Sequence, residues 1–429
     1  MTKLKLATGE TFRSLKIRNF RLFFTGQLIS QVGNWLTLIA QSLLVLKLTD
    51  SGVALGALAA AQFGPVLLLG GYAGLIADRM DKRRLLMIVQ AFAMLQSFAL
   101  AAVAFQDRPP VWLIFVIAGF GGIATAFDNP ARRSYVVEMV PEDDVTNAVS
   151  LNSALMTGAR IFGPALGGVL IIAFGYGWAF LLDGLSYVAV LIGLWMIDSD
   201  QVRRPPLQAR GKGQVREGVR YAWSVVELRV PLLMMAVVGT LAFNFQTVLP
   251  LFVTRDLHGG DGLFSALMSV VSIGSLGAAL VSARRTDVSV RTVSLSALAF
   301  GGAMVLVAIS PTEPLAFAAG ILMGAGSILF MTASTAIVQL RAKPSMRGRV
   351  LALQAIVFLG STPIGGPIVG FVSQELGARW GLALGAAAAL AAGAYGLTTV
   401  RHARALPATE QAEAEALAEA LAETGVATA

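Results

Sequence analysis

Three ionisable residues stand inside long apolar stretches of this chain: Asp128, Arg160 and Asp183. A charge at bilayer depth is costly, so each is a functional candidate by default. Asp128 lies in the apolar run 111–139 and Arg160 in the run 146–173, on either side of a turn near Pro141–Val145. Two helices joined there run antiparallel, which puts both residues at similar depth and predicts an Asp128–Arg160 ion pair. An acid held by an arginine can exchange that partner for a proton or for substrate, which is the chemistry of proton coupling. Two plainer readings stand beside it: a permanent partner for Arg160, or a cap on a helix restarted at Asn129-Pro130. Asp183 is read as binding a cation, titrating, or facing the wet mouth of a cavity. Candidate cavity lining comes from Gln31, Asn34, Trp35 and Gln41, with Gln27, in the first apolar run. Asn244 and Gln246 in the seventh run and Gln354 in the eleventh, with Thr362 and Pro363, join them. Phe63, Phe243 and Phe245 are available to an apolar ligand. Hydrogen bonding between helices explains each amide singly about as well.

The elements that must hold these residues are set by composition. Of 429 residues 56% are hydrophobic and 14% charged, against about a quarter charged in soluble domains. Apolar runs fall at 20–46, 53–77, 85–105, 111–139, 146–173 and 178–198, then at 231–254, 262–283, 290–309, 314–340, 349–374 and 380–400. At roughly 20 residues per crossing, these predict an all-α polytopic membrane protein with twelve transmembrane helices. Such a chain is neither disordered in bulk nor a water-soluble enzyme. With Cys 0 and His 2, a disulfide framework and a thiolate or imidazole metal site are not expected. No Gly-x-x-x-x-Gly-Lys-Ser/Thr phosphate loop and no His-Glu-x-x-His motif occurs, so neither an ATPase nor a metallopeptidase is indicated. No catalytic residue, metal or cofactor is assigned, and the protein is not expected to be an enzyme. The pI near 10.0 does not point to nucleic acid, because the basic residues come in dispersed short clusters.

Those clusters give orientation instead. All 33 Lys and Arg fall on one side of the predicted membrane except Lys47, Arg108, Arg255 and Arg379, and except Arg160 inside a span. Positive residues stay inside, so both termini are expected in the cytoplasm. The polar stretch 199–230 separates six spans from six, and within it 214–228 reads as an amphipathic helix on the membrane surface. Residues 1–198, 231–400 and 401–429 are then an N-terminal half, a C-terminal half and a tail. Gly74, Phe127, Pro141 and Gly163-Pro164 recur 203 positions later as Gly277, Phe330, Pro344 and Gly366-Pro367. Matches at one offset predict two pseudo-symmetric halves, the plan of many secondary carriers.

Between the second and third runs the chain reads Gly74-Leu-Ile-Ala-Asp78-Arg79-Met-Asp81-Lys-Arg83-Arg84. This resembles the loop signature of the major facilitator superfamily, with Asp81 where the superfamily more often has Gly. The resemblance implies the major facilitator fold and a cytoplasmic latch between halves made by Gly74, Asp78, Arg79, Asp81, Arg83 and Arg84. A plain positive-inside loop is the other reading. The stretches Ser30–Trp35, Asn129–Arg132, Ala159–Gly168 and Leu182–Ser186 resemble the bacterial exporter branch that includes enterobactin and macrolide efflux carriers. Relatives commonly have Asn at the place of Asp183, which puts a family-derived role for it in doubt, and often an acid at the place of Asn34, whose absence removes one possible proton site from the first span. Gly163-Pro164-x-x-Gly167-Gly168 is similar to the antiporter signature of drug/proton exporters, which implies a hinge; Pro164 removes a backbone hydrogen bond and the glycines leave a smooth face. Plain small-residue packing fits the same residues. The expectation is a monomeric, proton-coupled exporter of a moderately lipophilic small molecule, of drug or siderophore type, working by alternating access. A lipid or lysophospholipid carrier and a non-transporting sensor with the carrier fold are the alternatives.

Overall fold

The structure, a computed structural model, describes residues 12–203, 214–282 and 288–405, without the side chains of Asp78, Gln214, Val215, Pro344, Ser345, Leu359 and 400–405. Among the described residues, twelve helical segments are long and apolar enough to cross a membrane, and no strand occurs. The chain divides into two compact units, residues 1–208 with 259–269, and residues 209–258 with 270–429.

The first unit holds α1 (Arg18–Thr49), α2 (Gly52–Arg79), α3 (Lys82–Ala104), α4 (Val111–Glu138), α5 (Val145–Phe174) and α6 (Tyr176–Trp195). In a membrane every backbone group must be satisfied within the segment, so long uninterrupted helices are the available solution. Their ends are marked in the sequence. Ser51 accepts from the Ala54 amide at 3.2 Å and Asp81 from the Arg84 amide at 2.9 Å, each starting a helix as an N-cap does. Gly175, at φ 83°, makes the sharp joint between α5 and α6, a backbone state that suits a residue without Cβ. α1 packs on α5 and α6, α2 on α4, and α3 on α4 and α6. Phe20, Phe23, Leu86, Tyr135, Val190 and Leu194 form part of one buried cluster between them. Pro130 lies within α4, which continues unbroken to Glu138. The expected helix restart at Asn129-Pro130 is therefore absent, and Asp128 is not a cap.

The second unit holds α7 (Gln214–Ser224), α8 (Val226–Leu241), α9 (Phe245–Leu251), residues 270–282 of α10 (Asp261–Ser282), α11 (Val290–Ile309), α12 (Glu313–Arg341), α13 (Pro344–Glu375) and α14 (Ala378–Ala405). The surface helix expected over 214–228 ends at Ser224, because Val225 is extended (φ −103°, ψ 110°). It is tied down by Glu217, 2.6 Å from Arg349, and by the Tyr221 hydroxyl, which accepts from the Lys343 amide at 2.9 Å. The seventh span starts at Val226 and is interrupted at 242–244. There the Asn244 side chain donates to the Thr240 carbonyl at 2.6 Å, supplying a partner that the broken helix no longer provides. Thr240 faces Gly365 of α13 so closely that a Cβ there would lie 1.6 Å from the carbonyl oxygen. α14 runs to Ala405, past the expected boundary at 400. The acidic tail 406–429 lies outside the described residues, as do Lys3, Lys5, Arg204, Arg210, Lys212, Arg284 and Arg285.

Candidate functional site

A cavity of about 230 Å³ opens among α1, α2, α3, α4 and α6 of the first unit. Of the candidates of the first apolar run, Gln31, Asn34, Trp35 and Gln41 line it and Gln27 does not; Phe63, Asp128 and Asp183 line it too. Gln62, Gln90, Gln96, Thr125, Asn129, Arg132 and Tyr187 also line it and were not among the candidates. Gln62, Gln90 and Gln96 left the same kind of signal as Gln31 and Gln41, an amide inside an apolar run. Arg132 left another, since it stands four residues from Asp128 and hence on the same helix face.

Arg132 corrects the expected pairing. The Asp128 carboxylate is held by the Arg132 guanidinium on one oxygen and by Gln90 Nε2, at 2.7 Å, on the other. The pair expected with Arg160 of α5 is thus replaced by one within α4. Depth alone predicted the former, whereas helix rotation decides which face an arginine takes. Arg132 had been counted with the positive-inside residues, yet it is 8% exposed, while its neighbour Arg133 points outward. The other end of the Arg132 guanidinium donates to Gln27 Oε1 at 3.3 Å, and Gln31 donates to the same oxygen at 3.4 Å. Arg160 is half-buried on α5.

Asp183 on α6 is 1% exposed, which removes the reading of a residue in a wet mouth. Its Oδ2 accepts from Thr37 Oγ1 of α1 at 2.6 Å and from Ser97 Oγ of α3 at 2.7 Å. Its Oδ1 has no hydrogen-bond partner among the described residues. One turn along α6, the Tyr187 hydroxyl donates to Asn34 Oδ1 at 2.7 Å. Gln62 donates to Gln41, and Gln41 Nε2 and Gln90 Oε1 are also left without partners among the described residues. A buried polar atom without a partner costs free energy, so these atoms are poised for a hydrogen-bonding ligand. Asn244, Gln246 and Gln354 belong to the second unit: Asn244 and Gln354 are buried and Gln246 is half-buried.

The residues of the loop motif organise one end of the first unit. Asp81, expected as a second acid of the latch, caps α3. Arg83 donates to the carbonyls of Leu194 and Trp195, at 2.7 and 2.6 Å, and to Ser199 Oγ at 2.5 Å. A cation on the last carbonyls of α6 also faces the negative end of that helix dipole. Lys82 pairs with Glu138, the last residue of α4, at 2.5 Å. Arg79 is exposed, and the side chain of Asp78 lies outside the described residues. A Cβ at Gly74 would meet nothing within 4 Å. In α5, Gly163 faces Trp35, where a Cβ would lie 2.5 Å from the Trp35 Cβ, and Gly167 lies against Leu36. Pro164 and Gly168 are buried in the same unbroken helix.

The chain is 26% identical to a staphyloferrin A transporter of Staphylococcus aureus, over 83% of this chain and 90% of the relative. It is 22% identical to macrolide efflux protein A of Streptococcus pyogenes, over 83% and 89% of the two chains. With the multidrug efflux pump Tap of Mycobacterium tuberculosis it shares 25%, over 83% and 87%. In fold it is similar to a bacterial homolog of the human lysosomal transporter Spinster, at TM-score 0.69 and 16% identity, covering 91% of this chain and 97% of that one. The nucleoside transporter NupG gives TM-score 0.66 at 14% identity, covering 90% and 98%. The family model described as transmembrane secretion effector matches residues 9–428, and the chain therefore belongs to this family of bacterial major facilitator transporters, which are not enzymes.

Proposed function

We propose that the protein is a secondary active exporter, using proton influx across a bacterial inner membrane to expel a moderately lipophilic, hydrogen-bonding small molecule by alternating access. The observation that carries this is the cavity, which combines a buried Asp128–Arg132 pair, orphaned amide atoms and the faces of Trp35, Phe63 and Tyr187. Five glutamines line the space, and their amides favour a ligand that makes several hydrogen bonds. An amine on the substrate would compete with Arg132, and a proton would compete with both, for the one Asp128 carboxylate. Competition between proton and substrate is the linkage that antiport requires. The relatives named as a staphyloferrin A transporter and as a macrolide efflux protein support small-molecule transport, and the second name supports export. The loop Gly74–Arg84 is proposed to act as a cytoplasmic latch, with Gly163, Pro164, Gly167 and Gly168 letting α5 rock against α1. Asn244, Gln246 and Gln354 would complete the pathway from the second half, and a monomer suffices for the cycle.

The test compares accumulation of erythromycin and of a citrate-based siderophore in cells with and without the intact gene. Lower accumulation of at least one, abolished by a protonophore and by Asp128→Asn, is expected. Equal accumulation of both in the two strains, together with no proton-driven efflux of either from reconstituted vesicles, would sink the reading.

A further inference from the structure

We infer that Asp183 is a second proton-binding site, structurally independent of the Asp128–Arg132 pair, and that its Oδ1 is the atom that takes the proton. The inference extends the export reading, and its test needs no substrate.

The two carboxylates on the cavity wall have opposite environments. Asp128 is compensated by a guanidinium four residues away and by an amide. Asp183 is the more deeply buried, at 1% against 7% exposure, and forms no ion pair among the described residues. Both hydroxyl donors, Thr37 and Ser97, converge on Oδ2 and leave Oδ1 alone. The groups around it complete the account. From its own helix come Tyr187, whose hydroxyl is engaged by Asn34, and Ser186, whose hydroxyl donates to the Asp183 carbonyl at 2.7 Å and stands beside the carboxylate. From α1 come Thr37 and Gly33, and from α3 Ser97; α5, packed beside α6, carries Arg160, and across the cavity α4 carries Asp128 and Arg132. Burying a lone carboxylate is costly unless it is neutralised. With no basic side chain on it, a proton is the neutralising partner the geometry leaves room for.

Gly33 makes that room. A Cβ on residue 33 would lie 2.4 Å from Asp183 Oδ1 and 2.8 Å from Ser186 Oγ, so α1 and α6 approach here only because residue 33 has no side chain. Asp183 also lines the cavity, which gives the proton a route to and from Oδ1. A cationic ligand entering the same low-dielectric space would repel that proton, since both are positive. The site is thereby coupled to the contents of the cavity without contact.

The experiment is infrared difference spectroscopy of the purified full chain in lipid nanodiscs, in H2O and D2O, as the pH is stepped. The wild type is expected to show an isotope-sensitive carboxylic-acid C=O band that is lost in Asp183→Asn and kept in Asp128→Asn. Thr37→Val and Ser97→Ala, which leave the acid in place, are expected to shift the frequency of that band by changing its hydrogen bonds. They keep the assignment testable should Asp183→Asn fail to fold. A band kept in Asp183→Asn, lost in Asp128→Asn, or unmoved by both hydroxyl variants overturns the inference. So does a band abolished by sodium chloride but not by choline chloride at one pH, which would make Asp183 a sodium site. Failure of the export reading would look different: no substrate moves, while the Asp183 band still appears.

Discussion

Arg132 and Arg133 are adjacent in the chain and sit in opposite surroundings, one against Asp128 in the interior and the other exposed. Removing one member of a buried ion pair leaves the other charged and uncompensated, at a cost of about 3–5 kcal/mol. Arg132→Met is therefore expected to lower the thermal midpoint in detergent strongly, and Arg133→Met to change it little. Replacing both partners, Asp128→Leu with Arg132→Met, should recover most of the loss, because apolar groups of similar volume satisfy such a site as well as the pair does. Equal midpoints for the two arginine variants would remove the pair from the interior. At this scale the sequence was legible for Asp128, Asp183, Gln31, Asn34 and Gln41, which are rare polar groups in apolar stretches, while Gln27, marked by the same signal, lies off the cavity lining. It misled for Arg132, because an arginine beside another near a span end looks like a topology marker. The donors to Asp183 were out of reach: Thr37 and Ser97 lie 146 and 86 positions away along the chain, and only packing joins them.

Helix packing in the first unit depends on where side chains are missing or forked. Gly163 is one such place, since a Cβ would fall 2.5 Å from the Trp35 Cβ, an atom fixed to the α1 backbone and unable to swing away. Gly163→Ala is expected to push α1 from α5, cost about 1–3 kcal/mol as overpacking does, and shift Trp35 emission. An unchanged midpoint and spectrum would leave the glycine without a packing role. Arg83 is the other kind of place, its planar fork spanning two carbonyls and a hydroxyl at the end of α6. Arg83→Lys should lose about 1–2 kcal/mol, nearly as much as Arg83→Ala, because an ammonium cannot reproduce the fork. Full rescue by lysine would reduce the contact to simple charge. Most helices were legible from apolar length. The break at 242–244 was not, because it follows from the Asn244 side chain taking over a backbone partner and from the approach of Gly365.

For the whole molecule, the net charge of +8 is a statement about sidedness. If Lys and Arg mark the cytoplasm, the loop holding Gln201 faces inward with the Arg83 cluster, and the loop holding Asp107 faces outward. The absence of cysteine makes this directly measurable with single introduced thiols, and both positions are exposed. Asp107→Cys in intact cells is expected to react with a membrane-impermeant maleimide. Gln201→Cys should react only after the cells are permeabilised. The opposite pattern would invert the protein and place the Arg83 cluster outside. Labelling of both positions from outside would instead mean that residues 107 and 201 share one side, which six complete crossings in the first half do not allow.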